Sequence, residues 1–262
     1  MFRRSSSPRS AIRLHITTTD HVELSGLTID GPGPVHFVLA HGFTNHIAKP
    51  DLTRLAARLA RFGAVSAVDF RGHGASAGGS TVGGDGEMID LDAVIADVRL
   101  RAPDRYVVVV GFSMGAAAAI RQAGLAAHRP DAVVSVSAVS RWFSRDSRSM
   151  RRVNWLLESR FGPRFAQRGL STRLGGSWPE APVAPLEAIA SITCPILLIH
   201  GTADHYFDIE HAYALRAAAD GRAELWTIDG FGHGESGMTP ALCDRLAQWS
   251  VDQAAANTGG RS

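Results

Sequence analysis

Short apolar, β-branched runs alternate along the chain with longer runs in which Ala, Leu and Arg recur at helical spacing. Val35 to Ala40, Ala64 to Phe70, Tyr106 to Val110, Ala132 to Val139, Pro195 to His200 and Ala223 to Ile228 are predicted strands. Several are apolar nearly throughout, as strands covered on both faces must be. Between them Asp51 to Phe62, Glu87 to Arg101, Met114 to His128, Phe207 to Ala219 and Thr239 to Ala256 read as helices, some with Asp or Thr near the start for capping. The alternation predicts an α/β fold, with parallel strands joined by crossover helices on both faces of one sheet. Ile12 to Thr18 and Val22 to Ile29 are expected to pair antiparallel ahead of it.

The rhythm breaks between Arg141 and Pro185, where a Pro- and Gly-punctuated segment replaces a short helix. Met150, Val153, Leu157 and Phe161 recur there at three- and four-residue spacing, a single apolar helical stripe. The expectation is one domain over residues 11–262 with a small helical cap inserted at about 141–185, behind a disordered leader at 1–10.

Composition narrows the picture. The two cysteines, Cys194 and Cys243, lack metal-ligand spacing and read as reduced core thiols. No run reaches the eighteen apolar residues of a membrane span, and Met1 to Ser10 lacks a secretory apolar segment, so a cytoplasmic protein is expected. Net charge is +2, and Lys49 is the only lysine. Arginine replaces lysine throughout, which points to base composition of the genome and not to a nucleic-acid partner. Nine arginines lie between Arg141 and Arg173 against only Asp146 and Glu158. They read as a solvated helix face, the alternative being a basic rim that attracts a carboxylate or a phosphopantetheine-type thioester carrier.

Candidate chemistry starts with G-x-S-x-G, which occurs twice. Gly74-Ala75-Ser76-Ala77-Gly78 has no strand leading directly into it and runs on into polar loop. Gly111-Phe112-Ser113-Met114-Gly115 instead ends the run Tyr106 to Val110 and opens an alanine-rich helix. Strand, sharp turn and helix are the context that exposes a nucleophilic Ser at a sheet end, with the helix N-terminus directed at the reacting oxygen.

His41-Gly42-Phe43 follows the strand Val35 to Ala40, and Asp69-Phe70-Arg71-Gly72-His73-Gly74-Ala75-Ser76 follows Ala64 to Phe70. With the Ser113 motif, these segments resemble the α/β-hydrolase family, its HG-x oxyanion loop and its D-x-R-G-H-G-x-S loop. HG-x in place of HGGG sets the chain apart from the HGGG lipases. The resemblance implies an α/β-hydrolase fold of about eight strands, and an oxyanion hole made by the N–H groups of Phe43 and Met114. It assigns His41 and His73 to loop structure.

A serine hydroxyl needs a neutral imidazole to take its proton, and the imidazole needs a carboxylate to fix its tautomer. The family order of Ser, acid, His implies Asp204, just beyond Pro195 to His200, and His233, on the Gly-rich loop beyond Ala223 to Ile228. Rivals are Asp208 for the acid, and His205 and His211 for the base. Trp142, Phe143, Trp155 and the apolar stripe are candidates for lining an acyl pocket if the insertion covers the site; packing on the domain body is the plainer alternative. The expected activity is hydrolysis of a small-molecule carboxylic ester or thioester through an acyl-serine, with no metal or organic cofactor. An acyltransferase, a C–C bond hydrolase or a serine aminopeptidase-like peptidase would share the triad, and a non-catalytic ligand receptor could share the fold.

Overall fold

The computed structural model describes residues 11–142, 147–159, 162–176, 178 and 180–259. Its strands are β1 (Ala11–Thr17), β2 (Glu23–Ile29), β3 (Val35–Ala40), β4 (Ala64–Val68), β5 (Tyr106–Phe112), β6 (Ala132–Val136), β7 (Ile196–Gly201) and β8 (Ala223–Ile228). They form one sheet in the order β1-β2-β4-β3-β5-β6-β7-β8. β1 and β2 pair antiparallel, and β2 meets β4 antiparallel, whereas every pairing from β4 to β8 is parallel.

The helices are α1 (Pro50–Leu59), α2 (Asp85–Arg101), α3 (Met114–Leu125), α4 (Arg148–Glu158), α5 (Gly162–Gly169), α6 (Pro185–Ala188), α7 (Glu210–Ala218) and α8 (Pro240–Gly259). Successive strand side chains point to opposite faces, so the valine run of β5 serves two cores at once. Val107 and Val109 pack with Leu91, Val94 and Ile95 of α2 and Ile120 of α3. Val108 and Val110 pack with Leu55 and Leu59 of α1 and Leu246 of α8. Each fully buried valine or leucine stabilises the fold by about 1.5–3 kcal/mol, which is why the central strands carry no polar alternation.

Element ends depart from expectation where local hydrogen bonds win. β6 stops at Val136 and not Val139, because Ser137 turns to φ 54° while its N–H still bonds the Ile199 carbonyl at 2.9 Å. β4 ends at Val68, two residues early. β5 runs through Gly111 to Phe112, beyond Val110, since both residues pair with β6. α3 ends at Leu125, where Ala126 is extended at ψ 172°. α7 starts at Glu210 and not Phe207, whose N–H donates to Asp204 Oδ1 at 3.1 Å.

Between β6 and β7 the chain carries α4 to α6. Met150 of α4 is half-buried beside Val139 and Phe207, while α4 ends at Glu158. Phe161 and the leader 1–10 lie outside the described residues. Further along, Trp178 Nε1–H donates to the Thr81 carbonyl at 2.9 Å and the Arg173 N–H to the Gly72 carbonyl at 2.7 Å, which stitches the inserted segment to the loop after β4. Cys194 is half-buried and Cys243 buried, both free, and burial pushes their thiols up to about 11 and about 12.

Candidate active site

The turn from β5 to α3 holds Ser113 at φ 51°, ψ −113°. A non-glycine residue there stores about 1–3 kcal/mol of strain, and the turn survives because its surroundings fix it. The Ser113 N–H bonds the Val136 carbonyl at 2.9 Å, and its carbonyl accepts from Ala116 and Ala117 at 3.0 and 3.1 Å. A Cβ at Gly115 would lie 2.1 Å from the Ala40 carbonyl oxygen, and one at Gly111 would lie 2.4 Å from that of Gly115. Only glycine lets helix, strand and the loop after β3 approach this closely.

Asp204 follows β7 with its side chain fully buried. Its Oδ1 accepts the N–H groups of Tyr206 and Phe207 at 2.9 and 3.1 Å, leaving Oδ2 for His233 Nδ1 at 2.7 Å. Burial alone would raise its pKa; the hydrogen bond and charge of His233 and the two N–H groups outweigh burial and hold the carboxyl below its usual value. His233 lies on the loop after β8, and its Nε2 is 2.8 Å from Ser113 Oγ. A carboxylate accepts only, so Nδ1 carries the ring proton and Nε2 presents a lone pair to the Ser113 hydroxyl. Tyr206 and Phe207 wall the imidazole at ring-centroid distances of 4.6 and 5.4 Å.

The loop after β3 completes the arrangement. A Cβ at Gly42 would lie 3.4 Å from Ser113 Cβ, so the chain at Gly42 passes close beside the Ser113 side chain. Among the described residues no acceptor takes the N–H of Phe43 or of Met114. His41 Nδ1–H donates to the Gly42 carbonyl at 2.8 Å and Nε2 accepts the Phe70 N–H at 2.9 Å. Burial holds its pKa well below the imidazole range. His73 is likewise buried, which brings it to about 4, with Nδ1–H on the Arg71 carbonyl at 3.0 Å. Both rings brace loops, as the resemblance implies.

The rivals fall away on geometry. Ser76 is buried, its Oγ accepting the Ser25 N–H at 2.9 Å and donating to the Asp69 carbonyl. His211 Nδ1 lies 2.8 Å from Ser140 Oγ and 3.1 Å from its N–H. His205 and Asp208 are exposed.

The pocket candidates divide. Trp142 is half-buried in a cluster with Met150, Val139, Phe207 and Tyr206, of which Tyr206 and Phe207 touch His233, and its Nε1–H donates to the Pro182 carbonyl at 2.6 Å. Trp155 is corrected: it stays 71 % exposed, because it lies on the helical face of α4 opposite Met150 and Val153. Phe143 lies outside the described residues, as do the side chain of Leu157 and Phe161.

Sequence reasoning missed Glu235. Its Oε1 accepts the Gly42 N–H at 2.7 Å, which ties the loop after β8 to the loop after β3. It is the only acid between Asp229 and Asp244, which was the one available signal.

A family model described as Serine aminopeptidase, S33, matches residues 35–181, more than half of the chain. The chain belongs to this serine aminopeptidase family of α/β hydrolases. Among solved structures it is similar to the Pyrococcus furiosus esterase Pf2001, with 25% identity, a TM-score of 0.72, and 92% of this chain and 91% of that one covered. The esterase RhEst1 from Rhodococcus shares the fold at 19% identity and TM-score 0.72, covering 91% of this chain and 98% of its own. The match to Xenopus laevis alpha/beta hydrolase domain-containing protein 17B is 33% identical over 68 residues, 26% of this chain. It spans about a quarter (24%) of that relative's length. The fold and the family make the chain an α/β hydrolase with esterase-like structural neighbours.

Proposed function

We propose that this α/β hydrolase cleaves a small-molecule carboxylic ester or thioester through a covalent acyl-serine. The supporting observation is the unbroken hydrogen-bond relay from Asp204 Oδ2 through His233 to Ser113 Oγ, at 2.7 and 2.8 Å. Ser113 Oγ adds to the acyl carbon as its proton passes to His233 Nε2, and Asp204 stabilises the resulting imidazolium. The oxygen that becomes negative is met by the N–H groups of Phe43, on the loop after β3, and Met114, at the N-terminus of α3, each worth about 3 kcal/mol in the transition state. His233 returns the proton to the departing alkoxide or thiolate. A water molecule then gives one proton to His233 and its oxygen to the acyl carbon, and the bond from that carbon to Ser113 Oγ breaks as His233 passes the proton to Oγ, releasing the acid and restoring Ser113.

The half-buried Trp142 and Met150, clustered with the Tyr206 that lies against His233, form the proposed apolar wall for the acyl chain. The esterase neighbours favour an ester; the family description favours, as a second reading, an amide of an amino acid.

The deciding experiment is turnover of short- and long-chain nitrophenyl esters, acyl-thioesters and aminoacyl nitroanilides, with fluorophosphonate labelling in parallel. Ser113→Ala is expected to abolish both turnover and labelling. Continued labelling of that variant would remove Ser113 from the reaction, and nitroanilide turnover well above ester turnover would move the protein to the second reading.

A further inference from the structure

The segment inserted between β6 and β7 has an outward face that neither the core nor the candidate site uses. Residues 141–173 hold nine arginines and two acids, a net charge of +7, while the rest of the chain carries −5. The charge is therefore strongly polarised, although the whole molecule is nearly neutral. Arg148, Arg151, Arg152 and Trp155 follow the i, i+3, i+4, i+7 spacing of one face of α4, and all four are exposed. They border an open depression of about 300 Å³. α5, packed against α4, adds exposed Arg164 and Arg168 and places Phe165 at 57 % exposure.

Arginines alone would read as a solvated face. The two aromatic rings change that, since large exposed apolar groups amid cations satisfy neither water nor a core. A partner must therefore offer phosphate-like anions and a shallow apolar layer together. Guanidinium groups bind phosphate in a bidentate manner, and Trp and Phe rings settle at headgroup depth. A purely ionic partner would leave the rings in water. The −5 body is repelled by the same surface that attracts the inserted helices, which orients the molecule on approach.

We infer that the outer face of α4 and α5 is a docking surface for an anionic phospholipid membrane. The attachment is peripheral, because no helix among the described residues is long and apolar enough to cross a bilayer. It does not depend on the chemistry at Ser113, yet the docked helix is joined to the site. Ser147, the N-cap of α4, donates from Oγ to the Tyr206 carbonyl at 2.8 Å, and Tyr206 lies against His233.

The test is sedimentation of the full chain with vesicles of phosphatidylcholine, alone or with about one third phosphatidylglycerol, at low salt and at about 0.5 M salt. Binding is expected only to the anionic vesicles, at least ~10-fold weaker at high salt and in the double variant Arg148→Glu, Arg152→Glu. Trp155→Ala should weaken binding while leaving its salt dependence in place. Circular dichroism and thermal midpoint serve as folding controls for each variant. Failure to bind anionic vesicles at low salt, equal binding to neutral vesicles, or binding that survives the double charge reversal in folded protein would overturn the inference. Retention on RNA or on an acidic protein without vesicle binding would do the same and assign the face to a polyanion.

Discussion

Glu235 Oε1 accepts the Gly42 N–H at 2.7 Å, joining two loops that lie 193 residues apart in the chain. The bond fixes the Gly42–Phe43 region, and with it the direction of the Phe43 N–H proposed to meet the oxyanion. Glu235→Ala is expected to lower kcat for a nitrophenyl ester by about 10- to 100-fold with little change in KM, because the loss falls on an interaction strongest in the transition state. Glu235→Gln, whose amide oxygen can still accept, should recover most of it. Equal losses in both variants would assign the effect to the charge and not to the hydrogen bond.

Ser76 offers the opposite behaviour from Ser113 in the same G-x-S-x-G spelling. Its hydroxyl bridges the Ser25 N–H and the Asp69 carbonyl in a buried loop. Ser76→Ala should cost about 1–3 kcal/mol of stability through the unsatisfied Ser25 N–H and leave fluorophosphonate labelling intact. Denaturant unfolding and gel labelling read the two effects separately.

Gly115 is predicted to be intolerant of even one methyl group. A Cβ there would meet the Ala40 and His41 carbonyl oxygens at 2.1 and 2.5 Å, both backbone atoms that cannot swing aside. Gly115→Ala should destabilise the fold by about 3 kcal/mol and reduce turnover further than the lost folded fraction accounts for, since His41 begins the loop above Ser113. Thermal melts paired with active-site titration would check this.

His36 supplies a pH prediction far from the chemistry. Burial, aided by the charges of Arg101 and Arg105, lowers its pKa to about 4. The unfolded chain takes up that proton near pH 6.5 and the folded chain only near 4, so stability is full above 6.5 and falls as pH drops through this interval. The loss attributable to His36 amounts to about 3 kcal/mol. His36→Gln should flatten the wild-type decline in unfolding free energy between pH 6.5 and 4 by that amount; parallel curves would show that the ring is protonated in the native state.

What the sequence revealed follows from what each residue answers to. Val107 to Val110 had to be apolar on both faces, so β5 was readable directly. Asp204 and His233 were readable from their places after predicted strands together with the family order of Ser, acid and His, and the structure brings both to Ser113. The end of β6 was not, because Ser137 leaves the strand for a tertiary reason, its Oγ taking the Gly234 N–H at 3.2 Å. Glu235 was missed since its partner is across the molecule. Trp155 was misplaced because residue type was read without helical phase: the face that buries Met150 necessarily turns Trp155 outward.

The loop after β8 makes the geometry around Ser113 depend on the edge of the sheet. Among the described residues β8 is an edge strand that pairs with β7 alone, and the loop that follows it delivers both His233 and the Glu235 brace. Ser113 and His233 stand 120 residues apart in the chain, so the strained turn at the centre of the sheet receives its imidazole neighbour from beyond the sheet's edge strand.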